Sequence, residues 1–145
     1  MTSAEKVAYL SGYKYAVTEE RRLRDEIEQW RSRAERVTPA MTGMPPSGGQ
    51  NANAPFVSAA ESIANLELQL AEQLKRCVLM RQQIDVAIAQ TQQPRLRRLL
   101  ILRYVEARTF EQIAVEMYMD YRWVRRLHAR AIENLTLESP YQNVI

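Results

Sequence analysis

Four arginines, Arg122, Arg125, Arg126 and Arg130, lie within nine residues of one another. A guanidinium is planar, permanently charged and carries five N–H donors in a fixed fork. That fork matches phosphate oxygens and the O6/N7 edge of guanine. The apolar residues among and beyond them, Val124, Leu127, Ala131 and Leu135, fall within one narrow arc of a helix. Arg122, Arg126 and Ala129 fall on the opposite side, flanked by Arg125 and Arg130. A helix divided in this way packs one side and presents the other to a partner, so the chemistry on offer is recognition of a polyanion. The competing explanation is an ordinary solvated basic face. Asp120 and Glu133, both close by, argue against a patch that works by charge alone.

Charge along the chain points the same way. Residues 1–93 hold 11 Lys and Arg against 11 Asp and Glu, whereas residues 94–137 hold nine Arg and no Lys against five acids. The net +3 of the protein therefore originates in one segment. At 46% hydrophobic and 26% charged, the composition is that of a folded chain. No apolar run approaches the ~20 residues of a membrane helix, and the first residues lack the apolar core of a signal peptide. A cytoplasmic protein that does not meet a membrane is expected. The single Cys77 and single His128 make a disulfide or a structural zinc site a poor explanation of the sequence. Cys77 reads as a small buried residue and His128 as a packed one. No Ser/His/Asp set, phosphate-binding glycine loop or paired carboxylates stand out, so neither an enzyme nor a cofactor is expected.

The arginine helix needs a scaffold, and the residues before it describe one. Thr109 followed three residues later by Gln112 fits a capping box, so a short helix should start there, with Phe110, Ile113, Ala114 and Met117 facing inward. Tyr118-Met119 makes a brief turn, and Asp120 is a suitable N-cap for a helix running from Tyr121 to about Leu137. Two helices joined so closely cross steeply, and Ala114 is small enough to permit it. This is a helix-turn-helix arrangement, in which the early turns of the second helix enter the major groove. Arg122 and Arg126 are then the candidates for base readout, and Arg125 and Arg130 for phosphate contacts. Tyr121 and Trp123 suit either DNA or a neighbouring helix. Pro94 suits the first turn of a preceding helix to Val105, which buries Leu96, Leu99, Leu100 and Leu102 or Tyr104.

Upstream lie two long helical segments. The first, about Ser3 to Val37, carries Leu23, Ile27, Trp30, Ala34 and Val37 on one face, with Leu10, Tyr13 and Val17 continuing less tidily. Gly12 there suggests fraying or a separate contact. The second, about Phe56 to Ala89, has a heptad-like stripe of Ile63, Leu66, Leu70, Leu74 and Cys77, continued by Met80, Ile84 and Ala87 or Ile88; Gln73 takes a core-type slot that Leu74 fills one residue later. Pro and Gly crowd the stretch between them, so residues 38–55 should be a loop. Neither stripe can be hidden alone, and a long antiparallel, coiled-coil-like hairpin is expected. The expected division is 1–93 for the hairpin, 94–137 for the helix-turn-helix and 138–145 for a tail. The fold class is all-α.

The run from Thr109 to Leu135 resembles region 4 of bacterial sigma factors, and Leu100-Ile-Leu-Arg-Tyr-Val-Glu-Ala-Arg resembles that region's lead-in, with Ala107 where Gly is common. The resemblance implies that this helix reads a promoter element and that Tyr121, Arg122, Arg125 and Arg126 face DNA. Arg122 stands where an acid is frequent and Arg126 where Gln is frequent, which implies a different target sequence. The whole pattern, including Val37-Thr-Pro-Ala-Met-Thr-Gly-Met-Pro-Pro-Ser-Gly-Gly49, resembles a family of small phage and prophage proteins related to the ArpU and RinA type of late-gene regulators. That family implies a sequence-specific transcriptional regulator acting on double-stranded promoter DNA, together with host RNA polymerase, in the cytoplasm of a bacterial host. A counterpart of sigma region 2, which melts promoters, is not seen, so an activator is expected. A dimer is also expected, because two half-sites multiply the affinity of one small helix. Two alternatives stand beside this: a small terminase-like packaging protein, which would form a ring, and a sigma-like interaction module that never touches DNA.

Overall fold

A computed structural model describes residues 1–41 and 54–137. The described chain is all-α and, within those residues, contains no strand. The long helices are α1, Ser3–Met41, and α2, Ala54–Ala89. Three shorter helices follow: α3, Pro94–Leu100, which runs into a π-helical turn at Ile101–Val105; α4, Phe110–Glu116; and α5, Tyr121–Asn134.

Both long helices reach further into the 38–55 stretch than expected. Helix α1 continues past Pro39 to Met41, and α2 already includes Pro55. Pro55 is its second residue, where the missing N–H would be unpaired anyway, whereas Pro39 lies two residues before the end of α1. The rest of the expected loop and the expected tail lie outside the described residues.

Contacts group the chain into two compact units, one comprising Met1–Ala16 with the chain from Cys77 onward, the other Val17–Arg76. In the second unit Leu23, Ile27 and Leu66 form a small buried cluster edged by Trp30, Ile63 and Leu70, and Arg31 pairs with Glu67 at 3.1 Å. Gln73 keeps the core slot that Leu74 was expected to fill: Gln73 is buried, Leu74 only half-buried. The Arg76 guanidinium donates to the Gln73 side-chain oxygen at 3.4 Å. A buried amide is tolerable when it has such partners.

The first unit holds one continuous core. Leu10 of α1 and Ile84, Ala87 and Ile88 of α2 belong to the same cluster as Leu99, Ile113, Val124 and Leu127. In this unit the two long helices run antiparallel, because Tyr9 bonds to Gln83 and Gly12 faces Met80. Gly12 marks a contact rather than fraying: a Cβ there would lie 3.1 Å from the Met80 methyl. Lys6 Nζ donates to the carbonyls of Ile132 and Glu133, at 3.1 and 3.2 Å. A cation is favourable there, since the last carbonyls of α5 carry the negative end of its dipole and can each accept a second bond; that of Ile132 already accepts from the Leu135 N–H at 3.2 Å.

The expected third helix is not α-helical throughout. Leu96, Leu99 and Leu100 follow helical spacing, but Leu102 and Tyr104 are two apart, and both are buried. An α-helix would place such a pair on nearly opposite sides. The backbone widens across them, with Glu106 N–H bonding the Ile101 carbonyl at 3.0 Å. The turn ends at Ala107, whose φ is 55°. Left-handed backbone costs an L-residue about 1–2 kcal/mol, which Gly avoids. Tyr118, between α4 and α5, has φ 53° and is 96% exposed. Ala107→Gly and Tyr118→Gly should each stabilise the protein by about 0.5–1 kcal/mol, after the greater freedom of glycine in the unfolded chain is allowed for. Urea unfolding midpoints would check this. A lower midpoint for both variants would mean that neither conformation is strained.

Candidate nucleic-acid interface

Helix α4 starts as its sequence requires. Thr109 Oγ1 accepts from Gln112 N–H at 3.2 Å, and the Gln112 side chain accepts from Thr109 N–H at 3.0 Å. Ile113 and Ala114 are buried, and the chain turns through Met117 and Tyr118. Asp120 occupies the N-cap position of α5 with extended backbone, but its side chain makes no cap bond. Its charge still suits the positive end of the helix dipole. Helix α5 ends at Asn134, three residues earlier than expected, because Leu135 turns extended and carries its side chain into the core.

The two sides of α5 separate as the spacing requires. Val124, Leu127 and Ala131 are buried, joined by Ile132, which helical spacing alone does not single out. Ile132 follows Ala131 directly, and it is buried in the same core cluster, so the packed side of the helix is wider than the narrow arc of Val124, Leu127, Ala131 and Leu135. On the other side Arg122, Arg125, Arg126 and Arg130 are all exposed, and Tyr121 is half-buried. Arg122, Arg126 and Arg130 form no ion pair with any described residue, whereas Arg108 is bound to Glu116 and Glu106. Arg125 is held more firmly. Its Nη1 donates to the Tyr121 hydroxyl at 3.0 Å, and its guanidinium lies 5.6 Å from the Phe110 ring centre. The five candidate residues thus share one helix, with Tyr121 and Arg125 coupled and the other three extended into solvent. Trp123 is partly exposed, at 44%.

Behind this surface Arg103 stacks on Phe110 at 4.1 Å, and Phe110 meets the His128 ring edge-on at 4.9 Å. His128 Nε2 lies 2.6 Å from the Tyr104 hydroxyl, and which group donates depends on the imidazole tautomer. Burial, then the charges of Arg103 and Arg125, push the His128 pKa down to about 4, while burial pushes Tyr104 up to about 12. His128 is therefore a neutral packing group at neutral pH. Because its folded pKa is depressed, its contribution to stability is complete above the unfolded value of about 6.5 and is lost as pH falls towards 4. The melting temperature should drop across that window. His128→Gln should melt lower at pH 7 but with a flatter profile between pH 6.5 and 4. A variant with the wild-type slope would place the acid-sensitive group elsewhere.

A helix that is buried on one side, bears arginines on the other, and is set by a tight turn against a capped partner has the geometry of a DNA-reading helix. Residues 93–136 match the family model of sigma-70, region 4. The region 4-like module accordingly spans α3, the π turn, α4 and α5, and the match supports a DNA-binding helix-turn-helix. The frequent glycine of region 4 falls at Ala107, where the positive φ gives the physical reason for it. Comparison with curated proteins and with solved structures gives no match. No helix among the described residues is long and apolar enough to cross a membrane.

Proposed function

We propose that this protein is a phage-encoded, promoter-specific transcriptional regulator that places α5 in the major groove and activates late genes with the host RNA polymerase. The observation that carries this reading is the exposure of Arg122 and Arg126 on the outer side of α5, opposite fully buried Val124. Arg122 and Arg126 read base edges, and Arg125, Arg130 and Tyr121 fix the helix on the backbone. The protein acts in the bacterial cytoplasm as a homodimer, because a single small recognition helix buries too little surface for specific occupancy of a genome. It needs neither cofactor nor catalytic residue.

Transcription in vitro with purified bacterial RNA polymerase on phage late-promoter fragments tests the proposal. Added protein should raise the yield from its own late promoter and not from an unrelated one. Binding that ignores sequence would favour a packaging role instead, as would a ring of many subunits in solution. A yield that rises equally with the Arg122→Ala/Arg126→Ala variant would favour an interaction module that leaves DNA untouched.

A further inference from the structure

Cations also gather around a small recess on the α1 side of the first unit. An opening of about 120 Å3 lies between α1 and the π turn, bounded by Leu10, Ser11, Lys14, Tyr15, Arg103 and Ala107 among others. That volume holds about four waters at liquid density, roughly the bulk of one tetrahedral oxyanion. Its polar wall offers two cations and the hydroxyls of Ser11 and Tyr15, with no carboxylate in the lining.

Arg103 is already set in place. Its Nη1 donates to the Arg108 carbonyl at 3.0 Å, and its plane rests on Phe110. A guanidinium has five N–H donors, so that bond leaves it able to serve a further acceptor, and an immobilised side chain loses little entropy on binding one. Phe110 also lies 5.6 Å from the guanidinium of Arg125, on the proposed DNA-reading helix. The two guanidinium carbons are therefore no more than about 10 Å apart. The recess thus lies close to the cationic edge of α5.

We propose that Ser11, Lys14 and Arg103 form a cradle for one phosphate group, and that through it α1 adds a backbone contact to the DNA interface of α5. This rests on the DNA-binding reading above. Helix α1 lies outside the region 4 match, so the contact is an addition made by the long helix. The phosphate oxygens accept from Lys14 Nζ, Ser11 Oγ and the Arg103 guanidinium. No base is read, so the contact strengthens binding without altering sequence preference.

The test uses the full-length protein and Lys14→Gln, a substitution at an exposed position. Each is titrated with promoter duplex and with a scrambled duplex over a series of salt concentrations. The variant should bind both duplexes several-fold more weakly, with a log–log salt slope smaller by about 1, and Lys14→Arg should restore both. A second arm compares inorganic phosphate with chloride at matched ionic strength and reads the melting temperature. A phosphate-specific rise lost in Lys14→Gln, with the DNA slope unchanged, would identify a free phosphate compound as the occupant and overturn the DNA contact. An unchanged slope with no phosphate-specific rise overturns the cradle altogether and leaves the α5 interface standing. Wild-type protein that binds neither duplex overturns the DNA-binding reading itself, and the DNA contact falls with it.

Discussion

Replacing Arg122 and Arg126 together by alanine should abolish the preference for promoter over scrambled DNA while leaving the melting temperature within a degree or two of wild type. Both side chains are exposed and form no ion pair with a described residue, so their removal leaves no cavity and no stranded charge. A good bidentate arginine–guanine pair supplies about 1–3 kcal/mol of discrimination. Without two such pairs, specific affinity should fall by at least about 30-fold. Binding to scrambled DNA should fall far less, because the proposed phosphate contacts of Arg125 and Arg130 are untouched by the substitution. Arg125→Ala should behave differently. It releases the Tyr121 hydroxyl and one face of Phe110, so it should weaken binding to every duplex and lower the salt slope. Gel-shift titrations of the two variants on both duplexes would separate these roles. A double variant that still discriminates would remove Arg122 and Arg126 from base readout.

Leu10→Ala should destabilise the DNA-binding unit even though residue 10 is far in sequence from the region 4 module. Leu10 is fully buried in the cluster that contains Leu99, Ile113, Val124 and Leu127. Removing a buried leucine side chain costs about 2–5 kcal/mol, depending on how far the site collapses. For a chain of this length that is a fall in melting temperature of roughly 5–15 °C. A fragment limited to residues 94–137 should fare worse. It would expose the faces that Leu10, Ile84, Ala87 and Ile88 now cover, in a segment near the size at which isolated domains become marginal. Circular dichroism of Leu10→Ala and of the fragment would check both. A fragment that unfolds cooperatively at the temperature of the whole protein would show that the long helices contribute nothing to its core.

These two expectations also mark where the sequence was legible and where it was not. The module was readable because its signals are local. Thr109 and Gln112 cap a helix three residues apart, and Val124, Leu127 and Ala131 repeat at helical spacing. The exposed arginines follow from the same spacing, since residues between the buried positions have nowhere to point but outward. The shared core was not readable. Lys6 meets carbonyls 126 and 127 residues away, and Leu10 joins a cluster whose other buried members lie beyond residue 83. No periodic pattern encodes contacts at that separation. Ile132 was missed because it lies at the edge of the apolar arc, where spacing alone does not decide burial. Conformational strain was equally hidden. Ala107 and Tyr118 have unremarkable side chains for a turn, and only their positive φ shows that the backbone overrides preference there. Gln73 shows the converse: a heptad slot held a polar residue, and tertiary packing buried the amide rather than shifting to Leu74.

Guanine N7 methylation offers the most direct test, because N7 lies in the major groove and is one of the two atoms an arginine fork engages. Promoter duplex methylated at N7 would be partitioned into bound and free fractions with wild-type protein and with Arg126→Ala. Wild type should exclude duplexes methylated at a small set of guanines, and the variant should cease to discriminate at one of them while retaining the others. Equal binding of methylated and unmethylated duplex by the wild-type protein would contradict a recognition helix seated in that groove.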